Sequence, residues 1–314
     1  MKNDEIKIIF FGTPTFASQT LKSLIGNKYS IVGVVTKKAK PQGRKKEILI
    51  SPVQIIAKEH SVPVIDSDNS DIIFDKIKEF DPHLGILFAY GKIIPQKIID
   101  IFPLGILNIH PSLLPKYRGP SPVQSAILNG EKETGVTVML LDNAMDHGDI
   151  ITSQKTIIGD DELSYELHDR LAKMGTDLLI KVLPDYINKK ITPRPQNHSE
   201  ATFCESLSRH LGVVNWQTTP DIIYNQFRAL FPWPGIFTYW RQKRLKLTKI
   251  RPNQGQFEGQ IGQVSGTKAG FPAVFCSNGK IVIEKVQLEG KSEMSAKDFV
   301  KGYPDFIGSV LGDN

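Results

Sequence analysis

The chain holds only two cysteines in 314 residues, Cys204 and Cys276, far apart and without metal-ligand spacing. That excludes a disulfide framework and a thiolate metal site, and suits a reducing compartment in which both thiols are packing residues. No apolar run approaches the roughly 18 residues needed to span a bilayer. The start, Lys2-Asn3-Asp4-Glu5 followed by a short apolar run from Ile8 to Phe11, is not a secretory signal. A cytoplasmic protein with no membrane partner is expected. Two nucleotide signatures are also missing. Gly12-Thr13-Pro14 stands where a dinucleotide fingerprint would begin, yet no Gly-x-Gly-x-x-Gly follows, and there is no Gly-Lys-Ser/Thr phosphate loop. These absences argue against nicotinamide and nucleoside-triphosphate chemistry. No cluster of His, Cys, Asp and Glu has metal spacing, so no metal is expected.

What is present reads as two domains, since 314 residues exceed what one core usually serves. Short apolar strands alternate with helical patterns: Lys7–Phe11, Ile31–Val35, Val62–Ile65, Leu84–Phe88, Gly105–Ile109 and Thr134–Leu141 are strand-like. Pro14 and Ser51-Pro52 open helices, as does Ser121-Pro122, and Glu162–Ile187 is a long amphipathic helix ending near Pro184. This alternation predicts an α/β fold, a doubly wound and mostly parallel Rossmann-like sheet over 1–188. Thr192–Ser199, polar with two prolines, has linker composition, and 189–206 is assigned as linker. From 207 to 314, after a helix near Pro220–Leu230, about five short strands with Gly and Asn turns suggest a small OB-like β-barrel.

The charge is uneven. From Leu207 onward there are 14 Lys+Arg against 8 Asp+Glu, so this third carries the whole net charge of +6. A polyanion such as nucleic acid is the partner that this excess favours over a merely solvated surface. A second basic run, Lys37, Lys38, Lys40, Arg44, Lys45 and Lys46, contains no acid.

The chemistry centres on Leu107-Asn108-Ile109-His110-Pro111. Side chains on a strand alternate, so Asn108 and His110 point the same way, about 7 Å apart. One is an amide donor and the other can carry a proton near neutrality. They end a buried strand, where ligands of such sheets bind. The acidic turn Asp142–Ile150 supplies a carboxylate able to reach His110. A lone strand-end histidine is more often structural; the shared face and the nearby carboxylates shift that balance.

Asn108-x-His110-x-Ser112-Leu113-Leu114-Pro115, Tyr117-Arg118-Gly119 and Asp142-x-x-x-Asp146-x-Gly148-Asp149-Ile150 together resemble the formyltetrahydrofolate-dependent formyltransferase family. Gly12-Thr13-Pro14-x-Phe16-Ala17, Pro41-x-Gly43-Arg44, Ser51-Pro52-Val53, Ala89-Tyr90-Gly91, Thr134-Gly135-Val136-Thr137, Arg228-Ala229 with Pro232-Trp233-Pro234, and Met294-Ser295-Ala296 extend the likeness nearly end to end. They narrow it to the branch acting on initiator methionyl-tRNA in protein biosynthesis. The trio alone is shared with glycinamide ribonucleotide and sugar-nucleotide formyltransferases. The resemblance implies 10-formyltetrahydrofolate as one-carbon donor and Asn108, His110 and Asp146 as catalytic residues. Asn108 and His110 would donate to the oxyanion, and Asp146 would hold His110 or a water. It implies folate contacts at Phe88, Ala89, Tyr90, Ser112, Leu113, Leu114, Pro115 and Asp142. It implies tRNA contacts at Lys37, Lys38, Lys40, Arg44, Lys45 and Lys46, and at Arg241, Lys243, Arg244, Lys246 and Lys249 on the barrel. A monomer is expected. Three residues depart from the family pattern: Lys45 for a glycine, Phe231 for an asparagine and His147 for a threonine. His147 either shifts the pH profile of the site as a titratable neighbour of Asp146 or simply faces water, and the second reading is favoured.

Overall fold

The computed structural model describes residues 5–42 and 47–312. Its elements begin with β1 (Lys7–Gly12), α1 (Thr15–Gly26), β2 (Ser30–Val35), β3 (Lys40–Gln42), β4 (Glu47–Leu49), α2 (Pro52–Glu59), β5 (Val64–Ile65) and α3 (Ser70–Glu79). They continue with β6 (Leu84–Phe88), α4 (Gln96–Ile99), β7 (Ile106–His110), α5 (Pro122–Leu128), β8 (Glu133–Leu140), β9 (Ile150–Ile157) and α6 (Ser164–Ile187). The chain forms two compact units. The first comprises Met1–Pro122, Glu133–Ile157 and His168–Glu205, and the second Val123–Lys132, Ile158–Leu167 and Ser206–Asn314.

The first unit is built on a seven-stranded sheet in the order β5-β2-β1-β6-β7-β8-β9. β5, β2, β1, β6 and β7 run parallel. β8 is antiparallel to β7, and β9 to β8. Strand order reverses between β1 and β6, whose carboxyl ends meet where Gly12 pairs with Phe88. On one face Ile9, Phe11 and Ile106 pack with Ile73 and Ile77 of α3 and Ile98 and Ile99 of α4. On the other face α6 lies over β7 and β8, and at Gly175 a Cβ would stand only 2.5 Å from Ile109 Cγ2. The helices therefore cover both faces of a mostly parallel sheet, as the sequence pattern implies.

Two features depart from the pattern reading. β9 was not anticipated: it is an edge strand whose residues 153–155 are exposed, so it lacks apolar alternation. Within and just after the basic run, β3 and β4 pair as a two-stranded ladder. Helix α6 passes Pro184 and ends at Ile187, where Asn188 donates from both backbone and side chain to the Pro184 carbonyl. Of residues 189–206, read as linker, 189–205 belong to the first unit. Arg194 bridges to Ile150 and Phe203 to Arg118.

The second unit adds α7 (Pro220–Leu230), β10 (Ile236–Trp240), β11 (Lys243–Gln254), β12 (Val264–Gly266), β13 (Pro272–Cys276), β14 (Gly279–Leu288), β15 (Met294–Ser295) and α8 (Ala296–Gly302). The strands run antiparallel in the order β10-β11-β14-β13-β12, with β15 on β14. Leu245, Leu247, Ile250, Ile281, Ile283 and Val286 are buried at nearly alternate positions. Trp240 meets Phe299 and Phe306 edge to face. The stretch 308–312 joins the two open edges. Val264 N–H donates to the Ser309 carbonyl (2.8 Å) and Leu311 N–H to Gly262 (2.9 Å), while Gly312 N–H reaches Tyr239 of β10 (3.2 Å). These bonds close the sheet toward a barrel. No helix among the described residues is long and apolar enough to cross a membrane.

Candidate active site

Strand alternation sets the site. In β7 Ile109 turns toward α6, so Asn108 and His110 share the opposite face with Ile106. Both are buried, 5% and 4% exposed. They converge on one atom: Asn108 Nδ2 and His110 Nδ1 each lie 3.4 Å from Asp146 Oδ1. His110 Nε2 lies 3.0 Å from the Tyr117 carbonyl. A carbonyl only accepts, so Nε2 carries a hydrogen and Nδ1 is the nitrogen left facing the carboxylate. The other oxygen, Asp146 Oδ2, accepts from Gly119 N–H at 2.8 Å. All three catalytic candidates are thus brought together.

The loop after β7 is fixed by internal bonds. Ser112 donates to the Lys116 carbonyl (2.6 Å). Thr137 Oγ1 donates to the Ser112 carbonyl (2.7 Å) and accepts from Leu114 N–H (3.2 Å). Tyr117 and Arg118 N–H both donate to Thr202, and Cys204 N–H returns to the Arg118 carbonyl. At Gly119, with φ +119°, a Cβ would stand 2.4 Å from the Cys204 carbonyl oxygen, so a side chain is excluded. Ala89, Tyr117 and Asp146 hold left-handed φ of +51°, +60° and +49°. Such backbones cost about 1–3 kcal/mol each and persist where surroundings over-determine them.

The turn from Asp142 to Asp149 corrects one reading. His147 does not simply face water: its Nδ1 lies 2.6 Å from Asp142 Oδ2, and its ring stacks on His198 at 4.0 Å. Asp142 Oδ1 accepts from Ala144 N–H, so both its oxygens serve the turn itself. Sequence reasoning missed Gln196. Its amide nitrogen donates to the carbonyls of Asp146 (2.9 Å) and Gly148 (2.8 Å), and its oxygen accepts from Arg118. Its neighbourhood has loop composition, and the only available signal was the Tyr-Arg-Gly motif that supplies its partner.

Of the residues assigned to folate, Phe88, Tyr90, Ser112 and Leu114 are buried, whereas Ala89, Leu113, Pro115 and Asp142 are half-buried. Beside Tyr90 lies a cavity of about 60 Å³ lined by Phe11, Ile73, Ile94, Pro95 and Ile98, with Asp68 and Lys92 at its polar side. The Tyr90 hydroxyl is buried with no hydrogen-bond partner among the described residues. Burial, with Asp68 adding to it, pushes its pKa up to about 12, so it stays neutral.

The proposed tRNA bases fall into different classes. Lys37 and Lys38 are exposed and Lys40 lies on β3, while Arg44, Lys45 and Lys46 lie outside the described residues. On β11 Lys243 is exposed and Lys246 half-buried, neither with a carboxylate partner among the described residues. Arg244 is half-buried over Phe237, and Arg241 stacks on Trp240 while pairing with Asp305. Lys249 shares Glu284 with Arg251. Burial raises the Glu284 pKa, but the Lys249 and Arg251 contacts outweigh it and hold the carboxyl below its usual range. Among the described residues no group of three or more His, Cys, Asp or Glu could hold a metal ion.

A doubly wound sheet carrying an amide, an imidazole and a carboxylate at its strand ends is the architecture of formyl group transfer, and the chain belongs to the formyl transferase family. The formyl transferase family model matches residues 6–183, and that of the formyl transferase C-terminal domain matches 206–304. The chain is 37% identical over 310 residues to a methionyl-tRNA formyltransferase of Geotalea daltonii, covering 98% of each. It is 37% identical over 311 residues to one of Desulforamulus reducens, again covering 98% of each. Among solved structures, an N-formyltransferase of Helicobacter canadensis, in complex with folinic acid and dTDP-3-aminofucose, shares the fold. Its TM-score is 0.69 at 21% identity, over 88% of this chain and 98% of that one.

Proposed function

We propose that the chain transfers the formyl group of 10-formyltetrahydrofolate to the α-amino group of methionine on initiator methionyl-tRNA. The observation that carries this reading is the convergence of Asn108 and His110 on Asp146 Oδ1, both at 3.4 Å. In the reaction the amine attacks the formyl carbon, the bond from that carbon to N10 breaks, and one proton passes from the amine to N10. Asn108 has a second amide hydrogen for the oxyanion, a contribution of roughly 3–4 kcal/mol per donor. His110 works from Nδ1, because its Nε2–H is committed to the Tyr117 carbonyl. A proton held between Nδ1 and Asp146 can be lent to the oxyanion and returned, and the carboxylate accepts the proton of the attacking amine and passes it to N10 as the C–N10 bond breaks.

The lining beside the 88–90 segment supports contact with part of a planar, partly apolar donor. A cavity with an aromatic and aliphatic lining adjoins the 88–90 segment and holds a buried hydroxyl without a partner among the described residues. The folate contacts at 88–90, 112–115 and Asp142 run largely through backbone, since most of those side chains are buried or already bonded. The tRNA meets Lys37, Lys38, Lys40, Arg44, Lys45 and Lys46, and on the barrel Lys243, Lys246 and Arg244 ahead of the ion-paired Arg241 and Lys249. In this reading 1–188 is the catalytic part and 207–314 the tRNA-binding part of a cytoplasmic monomer acting in translation initiation.

An assay with 10-formyltetrahydrofolate, charged initiator tRNA and purified protein tests the proposal. Formylated methionyl-tRNA supports it. Formylation of an amino-sugar nucleotide alone, or tRNA binding without turnover, would overturn it.

A further inference from the structure

From Thr192 to Phe203 the chain has one buried residue, and it is polar: Gln196, 5% exposed. A buried amide is costly unless its hydrogen bonds are made. Gln196 makes four. Nε2 donates to the carbonyls of Asp146 and Gly148 at 2.9 and 2.8 Å, and Oε1 accepts from Arg118 Nε and Nη2 at 3.2 and 2.7 Å. Two acceptors on one side and two donors on the other fix which end of the amide is which. Arg118 is itself buried, 3% exposed, and its Nη2 also lies 2.9 Å from His198 Nδ1.

We propose that Gln196 is a positioning residue for formyl transfer, clamping the left-handed backbone of Asp146 so that its carboxylate stays on Asn108 and His110. The inference rests on the activity proposed above. Asp146 is gripped at both ends: Gly119 N–H holds Oδ2 and Gln196 holds the carbonyl. At φ +49° its backbone conformation is one that non-glycine residues rarely keep without support. The guanidinium polarises the amide and strengthens both of its donations to the turn. Gln196 touches none of the reacting groups and acts only through Asp146.

Gln196→Glu keeps shape and the Arg118 contact but replaces both donors with an acceptor aimed at two carbonyls. In the full-length protein kcat should fall about 10- to 100-fold, the scale of an ångström-sized misplacement. KM for tRNA and for the folate should each stay within about threefold, because neither substrate has lost a contact. In an Asp146→Asn background the same change should cost less than about twofold further, since groups acting through one another are not additive. A full additional loss in that background, or an unchanged kcat in the single variant, would overturn the clamp. Should Q196E fold poorly, Gln196→Met supplies the second variant for the same cycle. A crystal structure of either variant separates this inference from the assigned activity. Lengthening of the 3.4 Å Asp146–His110 separation by an ångström or more supports the clamp even if no tRNA is formylated, and an unmoved Asp146 refutes it.

Discussion

The turn at Asp146 and the basic strand β11 treat charge in opposite ways. Around Asp146 the polar groups are buried and each is held by directed hydrogen bonds, and His110, Asn108, Arg118 and Gln196 are all at most 5% exposed. Along β11 the cations are exposed or half-buried: Lys243 and Lys246 have no carboxylate partner among the described residues, and Lys249 and Arg251 meet Glu284 at the surface. The first arrangement specifies positions within a fraction of an ångström, as bond making requires. The second supplies charge density, which is sufficient for a phosphate backbone. Loss of one atom should therefore cripple the turn, whereas the strand should respond roughly in proportion to charge.

The largest effect expected is for His110→Ala: kcat lower by about 10²- to 10⁴-fold, the range for a general acid–base group, with an unchanged melting temperature. A near-normal rate would break the contrast at its precise end. Asn108→Ala should cost about 10²- to 10³-fold in kcat with little change in either KM, read by initial rates. On the other side, replacing Lys243 and Lys246 by Ser should raise KM for tRNA several-fold, leave KM for folate alone and flatten the salt dependence of tRNA binding by about two phosphate contacts. Lys249→Ser should do less, because Glu284 already engages that ammonium. Equal effects at the three lysines would mean that the ion pair does not matter.

The smallest effect concerns Glu284 itself. Its folded pKa is depressed by Lys249 and Arg251 against an opposing burial contribution. Its stabilisation is therefore present above the unfolded pKa of about 4.3 and is lost as pH falls through the lower folded value. The melting temperature of Glu284→Gln should lie below that of the native chain at pH 7, and the two should merge in more acidic buffer. A gap that persists under acid would assign the loss to packing instead.

The precise region was partly legible in the sequence. Two residues apart on a strand that ends in a proline, Asn108 and His110 had to share a face, because alternation is a local rule. The register that brings Asp146 to both is not local. It depends on β8 returning antiparallel to β7 and on a left-handed residue within the turn. Gln196 was hidden because Pro, Asn and Ser neighbours give any segment the composition of a tether, whereas burial depends on what the segment lies against. β9 was hidden because its outward side chains are polar. The bases of β11 were legible as residues, but not the pairing of Lys249 with Glu284, which depends on β14 returning antiparallel beside β11, a long-range register.

The stretch from Gly308 to Gly312 fastens β12 to β10. Until those residues leave the ribosome, both edges stay raw, inviting pairing with a neighbouring nascent chain. The segments of the first unit, which end at Glu205, have by then been free to fold. The half that holds the basic strand therefore matures last and spends longest exposed to misassembly, and a chain cut before Gly308 would keep that hazard permanently.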